Sequence, residues 1–567
     1  MSKDVTGIGQ VRSTARLLLT TVCRPLGPKY GDGLSVGYEL LHGQVTRAQG
    51  IFSPRTFQRH FSLDYIAHNL DSPTVVLQYP SERELIRELK RGYEYVGVSF
   101  LLATFHRMKR VVALIRKYAP QSRIILGGYG TVLGDEVLKL WGDHICREEG
   151  VGFLRRLLGE PPKPMPYEHP MIVNHLWVFS LRRPPHGMVF AGLGCPNGCD
   201  FCCTSHFFRR RHIKLLPTGR DIFTVMKRYA DEHNVHNCTV IDEDFLLNKA
   251  RAMEFLECVR ASTFQPSFFA FASVKALSQY TIEELLEMGL DGVWMGFEGK
   301  RSGFAKQSGR PIEELIDELR SHGITVLTSM IVGFDYQTPE IVQEELDELM
   351  RIRPTLAQFL IYGPTPGTPF YERIMAEGRL VPELTERPED YYRKCTGFYG
   401  MVQHPTMTSG MLERLQQQCF RQDFERLGPT MVRAMENWLS GYHRLKGSAC
   451  EALRQRAALY RSHILGGRVV LFPARWLGPS RAARRAARDL HWAIRREFGR
   501  LSVAEHVKSW VAMVMAMWTA VSLRCEWLQH PRLVRTEYRS SGSRRGPKLM
   551  PDVACVVESD RCEVACR

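Results

Sequence analysis

Cys195, Cys199 and Cys202 lie in the stretch Gly194-Cys195-Pro196-Asn197-Gly198-Cys199-Asp200-Phe201-Cys202, a C-x3-C-x2-C spacing. A cubane iron–sulfur cluster has four irons and is usually held by four thiolates. A loop that offers only three leaves one iron free to bind a substrate or cofactor, much as a catalytic zinc site keeps open a position that a structural one closes. Gly194 and Gly198 let the backbone wrap closely around a bulky inorganic group, and an aromatic, Phe201, precedes the last cysteine. The competing reading is a set of buried or zinc-binding cysteines, although zinc sites usually present C-x2-C pairs and need a fourth ligand. Cys203 adjoins Cys202 and cannot easily reach the same metal, so it reads as a spare thiol.

The pattern C-x3-C-x-aromatic-C resembles the signature of the radical S-adenosylmethionine (SAM) superfamily. That resemblance implies a [4Fe-4S] cluster on Cys195, Cys199 and Cys202 whose open iron chelates the amino and carboxylate groups of SAM. It further implies cleavage of SAM to a 5′-deoxyadenosyl radical, with electrons from a reductant such as flavodoxin or ferredoxin.

The elements that must position this loop are legible around it. From 186 to 400, apolar runs and amphipathic segments alternate as six βα-like units, which predicts a partial (β/α)6 barrel with its chemistry at strand carboxyl ends. Asp244, in Asp242-Glu243-Asp244-Phe245, ends one strand and resembles the acid that accepts a hydrogen bond from the SAM amino group. Ser273 ends the next and is expected at the SAM ribose or carboxylate. Glu298, in Met-Gly-Phe-Glu, resembles the acid that meets the ribose hydroxyls, with Gly299 where the family usually has Ser. Asp242 and Glu243 read as ordinary carboxylates. Ile331-Val332-Gly333-Phe334 and Pro364-Thr365-Pro366-Gly367-Thr368-Pro369 are similar to further segments of the family.

Residues 1–45 read as a lead-in. Over 46–160 a βαβα rhythm, with strands at 74–79, 95–100 and 123–128, predicts a parallel sheet with helices on both faces, a Rossmann-like domain. Ligands bind such sheets beyond the strand carboxyl ends, where Ser99, Gly127, Gly128 and Thr131 fall. This stretch resembles the cobalamin-binding domain that precedes many radical SAM cores, on VGVS, LGG and Arg147-Glu148-Glu149-Gly150-Val151. Cobalamin is therefore an expected cofactor, held at those four residues. The D-x-H-x-x-G motif is absent, and His106, after the wrong strand for it, reads as a surface residue.

Proline-rich 161–185 reads as a linker, 401–535 as a helical C-terminal region with Cys419 in its core, and 536–567 as a disordered tail whose Cys555, Cys562 and Cys566 have wide, unsupported spacing. The fold class is thus α/β: a Rossmann-like domain, a partial barrel and a helical region. Among 567 residues the net charge is +16, much of the excess near the C-terminus, a charge that suits an acidic partner, while nucleic acid is not expected. No opening apolar segment reads as a secretory signal and no apolar run is long enough to span a membrane, which predicts a cytoplasmic protein. Arginines at 481, 484, 485, 488, 495 and 496 precede Trp510, Met513, Val514, Met517, Trp518 and Val521 at helical spacing. This pair reads either as peripheral contact with the inner face of a membrane or as a core stripe beside a solvated face.

By resemblance the expected activity is cobalamin-dependent methyl transfer to an unactivated carbon of a lipid or natural-product small molecule. The rivals are a non-methylating radical enzyme acting on lipid or RNA, a cobalamin-binding sensor without turnover, and a zinc-stapled interaction protein.

Overall fold

The computed structural model describes residues 16–37, 41–56, 60–299, 301–525, 527 and 533–539. The C-terminal cysteines, the first fifteen residues and most of the expected tail lie outside the described residues.

Two sheets carry the molecule. The first holds β1 (Leu17–Thr21), β2 (Thr74–Gln78), β3 (Tyr95–Ser99), β4 (Arg123–Gly127) and β5 (His144–Ile145) in the parallel order 2-1-3-4-5. Strands β1 and β2 are buried on both faces, as a sheet covered by helices on two sides requires. The chain order reverses between β1 and β3, the place where sheets of this kind bind ligands. The lead-in expected over 1–45 is corrected by β1, which is the central strand. Its apolar run, Leu17-Leu18-Leu19, is short and carries no alternation to mark it.

The second half of the fold follows with β6 (Val173–Val178), β7 (Leu181–Phe190), β8 (Gly192–Leu193), β9 (Ile213–Lys214), β10 (Asn237–Ile241), β11 (Ser267–Phe271), β12 (Leu290–Glu298), β13 (Thr325–Val332) and β14 (Leu356–Ile361), all but β8 and β9 in the second sheet. Strands 7, 10, 11, 12, 13 and 14 are parallel neighbours in that order, curled into a half-barrel, while β8 and β9 form a separate small ladder. The helices between them pack on the outside, and one continuous apolar core fills the space.

The expected linker is also corrected. Strand β6 pairs antiparallel with β7 and extends the barrel sheet. Their turn, Phe179-Ser180, has positive φ at both residues, the geometry of a tight hairpin. Phe179 is buried among the C-terminal helices, and Ser180 Oγ lies 2.9 Å from Thr519 Oγ1. The prolines of this region therefore lead into a hairpin that staples the barrel to the helical region.

That region comprises α1 (Ser409–Leu427), α2 (Thr430–Leu445), α3 (Glu451–Gly467), α4 (Leu471–Leu477), α5 (Arg481–Phe498) and α6 (Val503–Arg524). Cys419 is buried in the barrel core, as read. Helix α6 inverts the core reading of its stripe: Ser509, Ala512, Ala516 and Thr519 face inward, while Trp510, Val514, Met517 and Trp518 are exposed. No helix of the described residues is long and apolar enough to cross a membrane. Beyond it, β15 (Val534–Tyr538) returns to pair antiparallel with β2, so the start of the expected tail is the edge strand of the first sheet.

Candidate functional site

Strand β7 delivers the chain to the cysteine loop, and the β8–β9 ladder pins the loop's base. Gly194 and Gly198 have φ of +76° and +68°, and a Cβ at Gly194 would meet the Arg211 carbonyl at 2.3 Å. The tight wrap expected of these glycines is thus a backbone requirement. Ser205, on the short helix Cys203–Phe207, donates to the Cys195 carbonyl (2.6 Å) and accepts from the Gly198 amide (3.2 Å), crossing the loop.

Phe201 has a structural reason too. Its ring packs edge-on against Phe304 and Tyr362, and Tyr362 stacks on Phe370 at 3.7 Å. The Tyr362 hydroxyl donates to Asp200 (2.6 Å), and Phe370 N–H donates to the Asp200 carbonyl. The segments 331–334 and 364–369 thus flank the residues that brace the loop from below.

Burial pushes the Cys195 thiol up to about 12 and raises Cys199 and Cys202 above the usual thiol range. Thiolates at these positions need a cationic partner. One is Lys306, missed in the sequence, whose ammonium pairs with Glu298 and lies over the Phe201 ring at 5.4 Å. Burial alone would lower the Lys306 pKa, but the charges of Glu298 and Cys199 hold it above the lysine range. Glu298 is buried at a strand end with φ +55°, and its carboxylate is held by Lys306. No motif signals Lys306; it stands on a single 3₁₀ turn, Ala305–Gln307, beyond β12.

Asp244 is buried at the end of β10, with one oxygen accepting from Asn197 Nδ2 (2.9 Å) and the other from Ser273 N–H (3.1 Å). Burial raises its pKa despite these bonds, so a cationic ligand would be welcome there. Asn197, between two of the cysteines, is a second residue that sequence reasoning missed. Ser273 is placed beside Asp244, but its hydroxyl caps the helix Val274–Leu277 by accepting from Ala276 N–H. Asp242 is not an ordinary surface carboxylate: it is buried and accepts from Arg251 (2.6 Å) and His212 (3.1 Å). A cavity of about 350 Å³ opens beside the loop, lined by Gly194, Pro196, His212, Asp242, Asp244 and Asn248.

The first sheet presents its carboxyl ends to the same region. Tyr129, just past β4, packs edge-on against Phe207 at 5.1 Å, and a Cβ at Gly367 would touch Val132 at 2.7 Å. Gly128 has φ +87°, and any Cβ there would meet the Phe100 carbonyl at 2.6 Å; Gly127 faces open space. Ser99 is half-buried at the same edge and Leu101 is exposed. Thr131 is different. It is fully buried, and its hydroxyl lies 2.7 Å from the Gly128 carbonyl and 3.0 Å from the Cys146 carbonyl, to one of which it donates, so it shapes the turn from within. His106 is a partial correction: it is half-buried and pairs with the buried Asp32 at 3.0 Å.

The chemistry of the donors is of the kind a cluster takes: three cysteines on one braced loop, an ammonium beside them and a carboxylate past the adjoining strand; among the described residues no three thiol, imidazole or carboxylate groups are gathered around a single metal-ion position. The other mouth fits a large planar group less specifically, through side-chain-free backbone at Gly127 and Gly128.

Residues 189–349 match the family model described as the Radical SAM superfamily, so this segment carries a radical SAM domain. A protein named an uncharacterized methyltransferase from Pyrococcus horikoshii is 26% identical over 205 residues, 35% of this chain and 44% of that protein. Hopanoid C-2 methylase of Rhodopseudomonas palustris is 25% identical over 34% of this chain and 39% of its own length. The chain therefore spans less than half the length of these curated relatives. The solved structure of the radical SAM methyltransferase TsrM from Kitasatospora setae, with cobalamin and a [4Fe-4S] cluster bound, is similar at a TM-score of 0.53 and 15% identity, covering 80% of this chain and 100% of that one. At that identity the likeness concerns the fold, and it extends across both sheets.

Proposed function

We propose that the protein is a cobalamin-dependent radical SAM methyltransferase acting on an unactivated carbon of a lipid or natural-product small molecule. One observation carries this reading: the three-cysteine loop at the barrel mouth faces the glycine-edged mouth of a doubly wound sheet across the Tyr129–Phe207 contact. The named activities of the relatives, methylation among them, support it.

Cys195, Cys199 and Cys202 would hold the cluster, Asp244 the SAM ammonium, and Ser99, Gly127 and Gly128 the corrin edge; together these groups supply one-electron chemistry and a transferable methyl group. The chain's own part is positioning. Asn197 and the Ser273 amide orient the Asp244 carboxylate, and the aromatic brace around Phe201 fixes the loop. Lys306 places a positive charge against the sulfurs, and the Tyr129, Phe207 and Phe208 rings meet edge-on where the two sheets face each other.

The test is anaerobic loading with iron, sulfide and a corrinoid, then SAM, a reductant and candidate substrates. S-adenosylhomocysteine together with 5′-deoxyadenosine is the expected outcome; deoxyadenosine alone would return a non-methylating radical enzyme, and neither product would overturn the proposal. Alanine at any of the three cysteines is expected to abolish cluster loading. Asp244→Asn should leave iron content unchanged and weaken SAM binding by about ten- to a hundredfold, the usual worth of a charge-assisted hydrogen bond. Unchanged SAM affinity in that variant would remove Asp244 from the site.

A further inference from the structure

Helix α6 packs with its small residues inward and its bulky apolar ones outward. Val503, Val507, Trp510, Val514, Met517 and Trp518 lie on one outer face, with Val503 82% and Trp510 63% exposed. Small inward residues let α6 lie close against the neighbouring helices. They give no reason for tryptophan and valine to face solvent. Trp476 and Trp492, on α4 and α5, are exposed as well, at 66% and 51%. An apolar surface of this extent marks a contact surface.

Its neighbours are basic. Residues 468–508 carry ten Arg and Lys against three Asp and Glu. Between α4, α5 and α6 a cavity of about 380 Å³ is lined by Arg468, Arg475, Arg495, Arg500, His491 and His506, with Trp510 at its side. Arg468 is held by Glu505. Arg475, Arg495 and Arg500 have no ion pair among the described residues, and burial, helped by the charge of Arg488, lowers the Arg475 pKa. The guanidinium of Arg495 lies over the Trp492 ring at 4.8 Å.

We propose that this face docks peripherally on an anionic lipid bilayer. The tryptophans and valines would enter the interfacial layer, and the arginine-lined cavity would seat a phosphate of a headgroup. Charge complementarity selects this occupant. Trp beside Arg suits the boundary between headgroups and acyl chains, where an apolar body and a cationic rim are both satisfied. Nucleic acid would use the arginines but leave exposed valine and methionine without a role. A protein partner would have to match both the apolar strip and the unpaired cations. The proposal is independent of the reaction catalysed.

The test is sedimentation of the full chain with vesicles of phosphatidylcholine alone and with equimolar phosphatidylglycerol, at low and high salt. Binding to the anionic vesicles alone, weakened by salt and accompanied by a blue shift of tryptophan emission, is expected. Arg495→Gln/Arg500→Gln should weaken it about thirtyfold, from the usual contribution of a basic residue at an anionic surface. Val514→Glu/Trp518→Glu should weaken it at least about tenfold. All four positions are exposed or half-buried, and matching circular dichroism melts check that the variants fold. Failure of the wild-type chain to sediment, or sedimentation unaffected by both variants, would overturn the proposal. So would a dimer in solution that the Val514→Glu/Trp518→Glu change dissolves, which would assign the face to a second copy of the chain.

Discussion

Glu243 shows how much a single position beside the site can carry. It stands between Asp242, which is locked to Arg251 and His212, and Asp244. Burial, reinforced by the charge of Asp242, pushes Glu243 up to about 7. Its folded-state pKa lies above the unfolded carboxylate value, so the protonated form favours folding. That contribution is complete below about pH 4 and is lost as the pH rises through 7. Glu243→Gln keeps the neutral shape at every pH. Its stability advantage over the native chain should therefore grow between about pH 5 and about pH 8, by on the order of 2 kcal/mol in urea titrations. An advantage that does not change with pH would mean that Glu243 is fully solvated. In the sequence Glu243 reads as ordinary, because nothing in Asp-Glu-Asp tells which of three acids is locked to Arg251, which accepts from Asn197 and which is left to titrate. Asp244 was legible from its strand end. Lys306 was not, since its placement depends on the short 3₁₀ turn Ala305–Gln307 packing over Phe201.

At the scale of elements, Tyr229 ties the added hairpin to the barrel. Its side chain is fully buried on the helix Gly219–His233. The hydroxyl accepts from Ile172 N–H (2.9 Å) and lies 2.9 Å from the Ile172 and Met188 carbonyls, to one of which it donates. Tyr229→Phe leaves those buried backbone groups short of a partner and should cost about 1–3 kcal/mol, seen as a lower thermal midpoint. An unchanged midpoint would mean that β6 and β7 hold without it. The regular βα units were legible because each strand is an apolar run bounded by turn residues and each helix repeats its apolar positions every three to four residues. What escaped was structure with no such rhythm. Leu17-Leu18-Leu19 is too short to declare a period, and Val173–Phe190 carries prolines and arginines. It is held by Tyr229 and by Phe179, buried in a core built from residues far along the chain. Val534–Tyr538 is a strand because β2 offers it an edge, which no local pattern reveals.

For the molecule as a whole, that last strand makes the C-terminal end part of the first domain. Arg535 donates twice to Glu88, at 2.9 and 3.0 Å, and Glu88 also accepts from the Tyr93 hydroxyl at 2.5 Å. Burial alone would raise the Glu88 pKa, but Arg535 and Tyr93 hold it below the usual carboxylate range, so the carboxylate stays charged inside the domain. The sheet proposed to hold the corrin is thus completed by residues that follow the barrel and all six C-terminal helices. Truncating Arg535 should leave the buried carboxylate with only the Tyr93 hydroxyl and Arg91, 3.6 Å away, at a cost of about 2–3 kcal/mol. Arg535→Ala is expected to speed proteolytic cleavage within the first domain while leaving the barrel resistant. If the loss comes from the stranded charge, Arg535→Met combined with Glu88→Gln should recover most of it, because no unpaired carboxylate then remains. If the double variant is as labile as Arg535→Ala, the stabilisation lies instead in the β15–β2 backbone ladder, and the edge strand rather than the ion pair closes the domain.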